Sequence, residues 1–144
     1  MIFCDTSTLA KLYVPEPESL AVRQRLETED SVQLSELART ELMAAFHRRL
    51  REGKWSRQDF SAVVSQFSAD DIGGFWDWLP LESAITQAAA SVYSSLSETI
   101  FLRSSDCLHL VTALHHNHRD IFTHDRNQAA AALALGITPV SIEP

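Results

Sequence analysis

Apolar and polar positions follow one another in short blocks that alternate between strand-like runs and helical spacing. Residues 1–4 are an apolar run that predicts a buried strand. The run passes directly into Asp5, a hydroxyl cluster (Thr6, Ser7, Thr8) and apolar positions at helical intervals, Leu9, Leu12 and Tyr13. Two prolines within residues 15–18 break this unit from a weakly amphipathic helix over 19–29, carried by Leu20, Val22 and Leu26. A strand over 32–34 follows, then Ser35 as the N-cap of a helix reaching Arg51, with a stripe of Ala38, Leu42, Ala45 and Phe46. Gly53 ends that helix, and Ser56 with Asp59 three residues later makes a capping-box pattern for a helix over 57–66.

The second half repeats the alternation. Residues 70–74 predict a turn, with Asp70 and Asp71 as turn residues, and 76–81 a third strand. The clearest helical stripe is Ile85, Ala88, Ala89, Val92, Tyr93 and Leu96, and another helix packs through Cys107, Leu110, Val111 and Leu114. A strand over 121–123 runs into His124 and Asp125, an alanine-rich helix stops at Gly136, and 139–142 is the last strand. Strands alternating with helices predict an α/β chain with a mainly parallel sheet, helices on both faces and right-handed crossovers. At 144 residues the expectation is one domain, 1–144.

Composition changes little in this picture: 45% of residues are hydrophobic and 22% charged. No run approaches the roughly 18 apolar residues of a membrane span, and no leader pattern precedes the first strand, so the expected setting is cytoplasmic, without membrane attachment. Cys4 and Cys107 sit in apolar segments and read as buried thiols rather than a disulfide framework. The net charge of −7 argues against a protein that coats nucleic acid by bulk electrostatics, yet six of the twelve Lys and Arg fall between Arg39 and Arg57. That cluster is either a solvated helix surface or a local basic face.

Four acids stand out by position: Asp5 and Asp125 just past the carboxyl ends of strands, Asp106 opening a helix, and Glu41 at the edge of a helical stripe. Ligands of open α/β sheets bind at that end of the strands. Asp5, Asp106 and Asp125 can also be plain N-caps, and Glu41 a solvated helix residue. If the acids gather, their mutual repulsion calls for a hard cation, and an oxygen-only donor set suits Mg²⁺ or Mn²⁺ rather than zinc.

Four stretches, in order, carry a resemblance: DTSTLAKLY at Asp5, SELARTELMAAFHRR around Glu41, LRSSDCLHLVTAL around Asp106 and IFTHDRNQAAAALALG around Asp125. Together they resemble the PIN domain, and within it the VapC-type toxins of toxin–antitoxin pairs, over essentially the whole chain. The resemblance implies a three-layer α/β/α fold with strand order 3-2-1-4-5, and so Asp5 and Asp125 on neighbouring strands. It implies a Mg²⁺- or Mn²⁺-dependent endoribonuclease with Asp5, Glu41, Asp106 and Asp125 as its acidic quartet. Asp5, Asp106 and Asp125 would hold the metal, and Ser7 and Thr123 would support them or order water. It further implies a homodimer, an RNA substrate and a cognate antitoxin, with Arg48, Arg49 and Arg51 as candidate contacts to either partner.

Other readings stay open at this stage. A phosphoaspartyl phosphatase of the haloacid-dehalogenase type would use Asp5 as nucleophile, but it wants an Asp two residues on, where Ser7 stands. A non-catalytic PIN-like binding module is the third. His115, His116 and His118 fit a helix end better than a metal site. His124 should point away from Asp125, and His109 should pack or make a polar edge contact.

Overall fold

The computed structural model describes residues 1–144. The elements in chain order are β1 (Ile2–Phe3), α1 (Thr6–Ala10), α2 (Ser19–Glu27), β2 (Val32–Ser35), α3 (Leu37–Arg51) and α4 (Arg57–Ile72). They continue with β3 (Asp77–Leu79), α5 (Ser83–Ser95), α6 (Ser104–His115), β4 (Asp120–Phe122), α7 (Arg126–Ala134) and β5 (Thr138–Val140). No helix is long and apolar enough to cross a membrane.

All strand pairs are parallel: β1 with β2, β2 with β3, and β4 with β5. The sheet differs from the single five-stranded layer implied by the resemblance. It is a three-stranded piece, β1-β2-β3, and a two-stranded piece, β4-β5. One parallel bridge, Cys4 to Phe122, joins them, reinforced by the Asp5 N–H donating to the Phe122 carbonyl at 3.1 Å. The seam is narrow because β1 is two residues long and the chain turns into α1 immediately after Asp5.

The period of two along β1 builds the layers. Ile2 and Cys4 enter one core with Leu34 of β2 and with Leu9, Val22, Leu26, Leu42, Phe46 and Phe67, drawn from α1–α4. Phe3 enters the other with Leu79, Ile85, Cys107, Leu110, Ile121 and Ala131, drawn largely from α5–α7. Helices therefore cover both faces. In the first core Tyr13, Phe46 and Phe67 meet edge-on, with ring centroids 5.6–6.4 Å apart.

Three expected boundaries are corrected. Ser35 is the last residue of β2 rather than an N-cap. Glu36 caps α3 without a side-chain bond, and the Ser35 hydroxyl accepts from the Leu37 N–H at 3.2 Å. The capping box of Ser56 and Asp59 is present, but α4 runs on to Ile72 instead of stopping at residue 66. Asp70 and Asp71 are therefore helical and not turn residues. Asp70 accepts from the Tyr13 hydroxyl at 2.7 Å, while Asp71 pairs with Arg39 and accepts from the Trp78 indole N–H at 2.7 Å. These contacts supply the tertiary reason for the longer helix. β3 is shorter than the expected 76–81, covering Asp77–Leu79.

Candidate active site

Asp5 leaves β1 at its carboxyl end and becomes the N-cap of α1, its Oδ1 accepting from the Thr8 N–H at 3.2 Å. The same oxygen accepts from the Ser7 hydroxyl at 2.6 Å, and Oδ2 accepts from the Thr123 hydroxyl at 2.6 Å. Ser7 also accepts from the His124 N–H at 2.8 Å, and Thr123 from the Asp125 N–H at 3.1 Å. Ser7 and Thr123 thus lock the β1–α1 turn to the β4–α7 turn. Asp5 is 4% exposed, and every donor it meets is neutral. Burial pushes its carboxyl above the ordinary aspartate value; the hydroxyl bonds, the nearby His109 and the Thr8 N–H pull it back only in part.

Asp125 is the N-cap of α7, accepting from the Gln128 N–H at 3.0 Å. Asp106 lies three residues past the cap position, as the third residue of its helix. The N-cap of α6 is Arg103, which makes no side-chain cap bond, and Asp106 sits in the first turn, 8% exposed. The Arg103 guanidinium donates to Asp106 Oδ2 at 2.8 Å and to Asp125 Oδ2 at 3.0 Å.

Glu41, in the second turn of α3, accepts from the Thr6 hydroxyl at 2.8 Å and is bonded by His109 Nε2. Burial pushes its carboxyl up, but the His109 bond and charge, the Thr6 bond and the field of Arg103 outweigh it and leave it below the ordinary glutamate value. His109 is 1% exposed, and its Nδ1 has no partner.

The four acids are thus knitted into one neighbourhood: Thr123 ties Asp5 to the Asp125 turn, Arg103 ties Asp125 to Asp106, and His109 ties α6 to Glu41. No three His, Cys, Asp or Glu side chains converge closely enough to ligate one ion in this arrangement. The donor set is nonetheless all oxygen, as Mg²⁺ and Mn²⁺ prefer. Asp5 also supplies a buried negative charge that no cation contacts. On those two grounds the residues fit a hard divalent cation.

Arg48, Arg49 and Arg51 are not part of this neighbourhood. They occupy the last turn of α3, roughly 10–15 Å along the axis from Glu41 at 1.5 Å per residue. Arg48 pairs with Glu52 at 2.8 Å, and Arg49 lies over the Trp55 ring at 5.7 Å. His124 bonds away from the acids, to the Thr8 hydroxyl at 3.0 Å and the Ile142 carbonyl at 3.0 Å. His118 meets Gln33 at 2.6 Å and does not join the site.

Sequence reasoning gave no role to Arg103 or Thr6 and only an edge contact to His109. For two of them the spacing holds a signal: Arg103, the N-cap of α6, and His109 lie three residues before and three after Asp106, each within helical reach of it.

No match is found among curated protein sequences. Solved structures align over nearly the whole chain at low identity. The sarcin–ricin-loop-cleaving toxin VapC20 of Mycobacterium tuberculosis is 14% identical, with a TM-score of 0.71 over 91% of this chain and 95% of its own. FitAcB of Neisseria gonorrhoeae is 18% identical, with a TM-score of 0.68 over 96% of each chain. VapBC2 of Rickettsia felis, bound to a DNA fragment from its promoter, is 12% identical, with a TM-score of 0.68 over 98% of each. These similarities concern the fold. The sequence profile of the PIN domain matches residues 2–133, nearly the full length and all four acids included, so the chain belongs to the PIN domain family.

Proposed function

We propose that this chain is a divalent-cation-dependent endoribonuclease and the toxin of a toxin–antitoxin pair. Asp5, Glu41, Asp106 and Asp125 are its active-site acids, and Asp5, Asp106 and Asp125 hold Mg²⁺ or Mn²⁺. The observation that carries the proposal is Asp5: an aspartate buried at a strand end among neutral donors only, its carboxyl raised by burial, and connected through Thr123, Arg103, Thr6 and His109 to three further acids. Such a charge is costly unless a cation answers it.

A bound divalent cation supplies an acidified water and neutralises charge that develops on the phosphate. The chain's own residues do the rest. Ser7 and Thr123 fix both oxygens of Asp5, and the caps of α1 and α7 fix the backbone of Asp5 and Asp125. Glu41, kept ionised by His109 and Thr6 and only 30% exposed at its side chain, accepts a hydrogen bond from the attacking water and orients it for in-line displacement. The products are a 5′-phosphate and a 3′-hydroxyl. The two sheet pieces act as one layer in the order 3-2-1-4-5, a reading supported by the Cys4–Phe122 bridge, so Asp5 and Asp125 leave adjacent strand ends.

Family membership and the neighbours support the biology. VapC20 is a toxin that cleaves the sarcin–ricin loop, and a Klebsiella pneumoniae neighbour is a toxin–antitoxin complex. A cognate antitoxin, a homodimer and RNA contacts through Arg48, Arg49 and Arg51 are carried over as part of the proposal. The phosphatase alternative needs an acid at position 7, and Ser7 stands there instead, its hydroxyl donating to Asp5.

The test is RNA cleavage by the purified, antitoxin-free chain and by Asp5→Asn, each with MgCl₂, MnCl₂ or EDTA. Asn keeps the cap but loses the charge. Normal cleavage by Asp5→Asn would sink the proposal, as would wild-type cleavage that EDTA leaves untouched.

A further inference from the structure

The rim of the acidic mouth carries a positive charge of its own. Arg103 Nε and Nη2 reach one oxygen each of Asp106 and Asp125, at 2.8 and 3.0 Å. The Arg103 side chain is 50% exposed, against 12% and 29% for those of Asp106 and Asp125. Its position is not explained by the helix it precedes. Helix N-caps favour Ser, Thr, Asp and Asn, and the positive end of the helix dipole disfavours a cation. Arg103 makes no cap bond, so the two acids are what hold it there.

Those are two of the three acids assigned to the metal. Arg103 takes Oδ2 of each, and a cation held between the two carboxylates would meet its positive charge at close range. We infer that Arg103 is a resident counter-charge, bridging Asp106 and Asp125 in the metal-free protein and displaced when a divalent cation binds. The inference rests on the metal-site reading above. Arg103 thereby sets how tightly the site takes its metal: it neutralises the pair between cycles and lowers the apparent affinity by the free energy of the bridge. A guanidinium suits this part, because its fork answers two carboxylates at once and it never loses its proton. Its partial exposure leaves it room to swing out.

The sign of one measurement decides. Mn²⁺ is titrated calorimetrically into the wild-type chain, Arg103→Gln and Arg103→Lys. Removing a competitor tightens Mn²⁺ binding to Arg103→Gln, by about threefold to tenfold for two partly exposed ion pairs. Lys keeps the charge without the fork and falls between. A merely structural Arg103 gives the opposite sign, with binding weakened in Arg103→Gln. Equal or weaker binding by that variant, beside a wild type that binds, overturns the inference and leaves the metal site standing. Absence of Mn²⁺ binding in both overturns the metal site and the inference together. Thermal midpoints provide a second readout. In EDTA Arg103→Gln melts below wild type, and Mn²⁺ raises its midpoint by more than it raises the wild type's. If Arg103→Gln does not fold, Arg103→Lys carries the same comparison with a smaller shift.

Discussion

Asp5 and Asp71 are both held by several donors, yet the two regions put their carboxylates to opposite use. Asp71, in the last turn of α4, pairs with Arg39 of α3 and accepts from the Trp78 indole of β3; Arg39 itself stacks over Trp78 at 4.3 Å. Burial pushes its carboxyl up, but the Trp78 bond, the Arg39 bond and the Arg39 charge bring it below the ordinary aspartate value. Asp5 meets hydroxyls and an amide N–H but no basic side chain, and its carboxyl sits above that value. A charge answered locally ties three elements together. A charge left unanswered under burial works against folding and is available to something outside the chain. Counting hydrogen bonds alone would rank Asp5, with three, above Asp71, with two.

The largest expected effect breaks that pairing by substitution. Asp5→Asn loses RNA cleavage by at least about a hundredfold, in the range seen when a group acting on the reacting centre is removed. Its thermal midpoint in EDTA is above wild type, because Asn still caps α1 and no buried charge remains. Asp71→Asn reverses both outcomes, with cleavage kept and stability lowered by about 1 kcal/mol as a charge-assisted clamp weakens. Equal stability losses in the two variants would show that Asp5 is a structural aspartate like Asp71.

His109 tests the acidic mouth from the other side. Replacing this fully buried ring by Ala removes the Glu41 bond and opens a cavity, and should cost about 2–4 kcal/mol in urea unfolding. Gln reaches a similar point with an N–H₂ donor and should recover most of the stability together with cleavage. A His109→Gln variant that is stable but inactive would give the imidazole a chemical part beyond holding Glu41.

The alternation of strands and helices was legible because β1 and β4 are apolar runs, and because α5 and α6 carry clean stripes. The Ser56–Asp59 capping box was legible because it is a local contact. So were the N-cap positions of Asp5 and Asp125, which their sequence neighbours dictate. What sequence could not show was decided across the fold. α4 continues past residue 66 because Phe67 is buried among aromatics from elsewhere in the chain and Asp70 and Asp71 find partners on other elements. The sheet divides at β1 because two residues give too few ladder bonds to hold both neighbours equally. Arg103 was legible only in part: Asp106 lies 3 residues away, within helical reach, but Asp125 lies 22 away, and only the fold brings both to the same guanidinium.

The smallest effect is the sharpest in sign. An aspartate whose folded carboxyl is raised contributes stability that is present below its unfolded value and lost as pH rises through the folded one. Ionised Asp5 is therefore a liability at neutral pH. A depressed aspartate contributes above its unfolded value and loses that contribution as pH falls through the folded one, so ionised Asp71 is an asset at neutral pH. Relative to wild type in EDTA, Asp5→Asn should be the more stable and Asp71→Asn the less stable at pH 7. Both differences shrink on acidification, but in separate windows. The Asp5→Asn gap starts to close above 3.8, the unfolded reference for both groups, and the Asp71→Asn gap only below it. Urea midpoints of the three proteins between neutrality and the acid transition measure both gaps. If the Asp5 gap is negative, or closes only where the Asp71 gap does, then Asp5 has a charged partner after all, and the contrast between an answered and an unanswered carboxylate fails at its root.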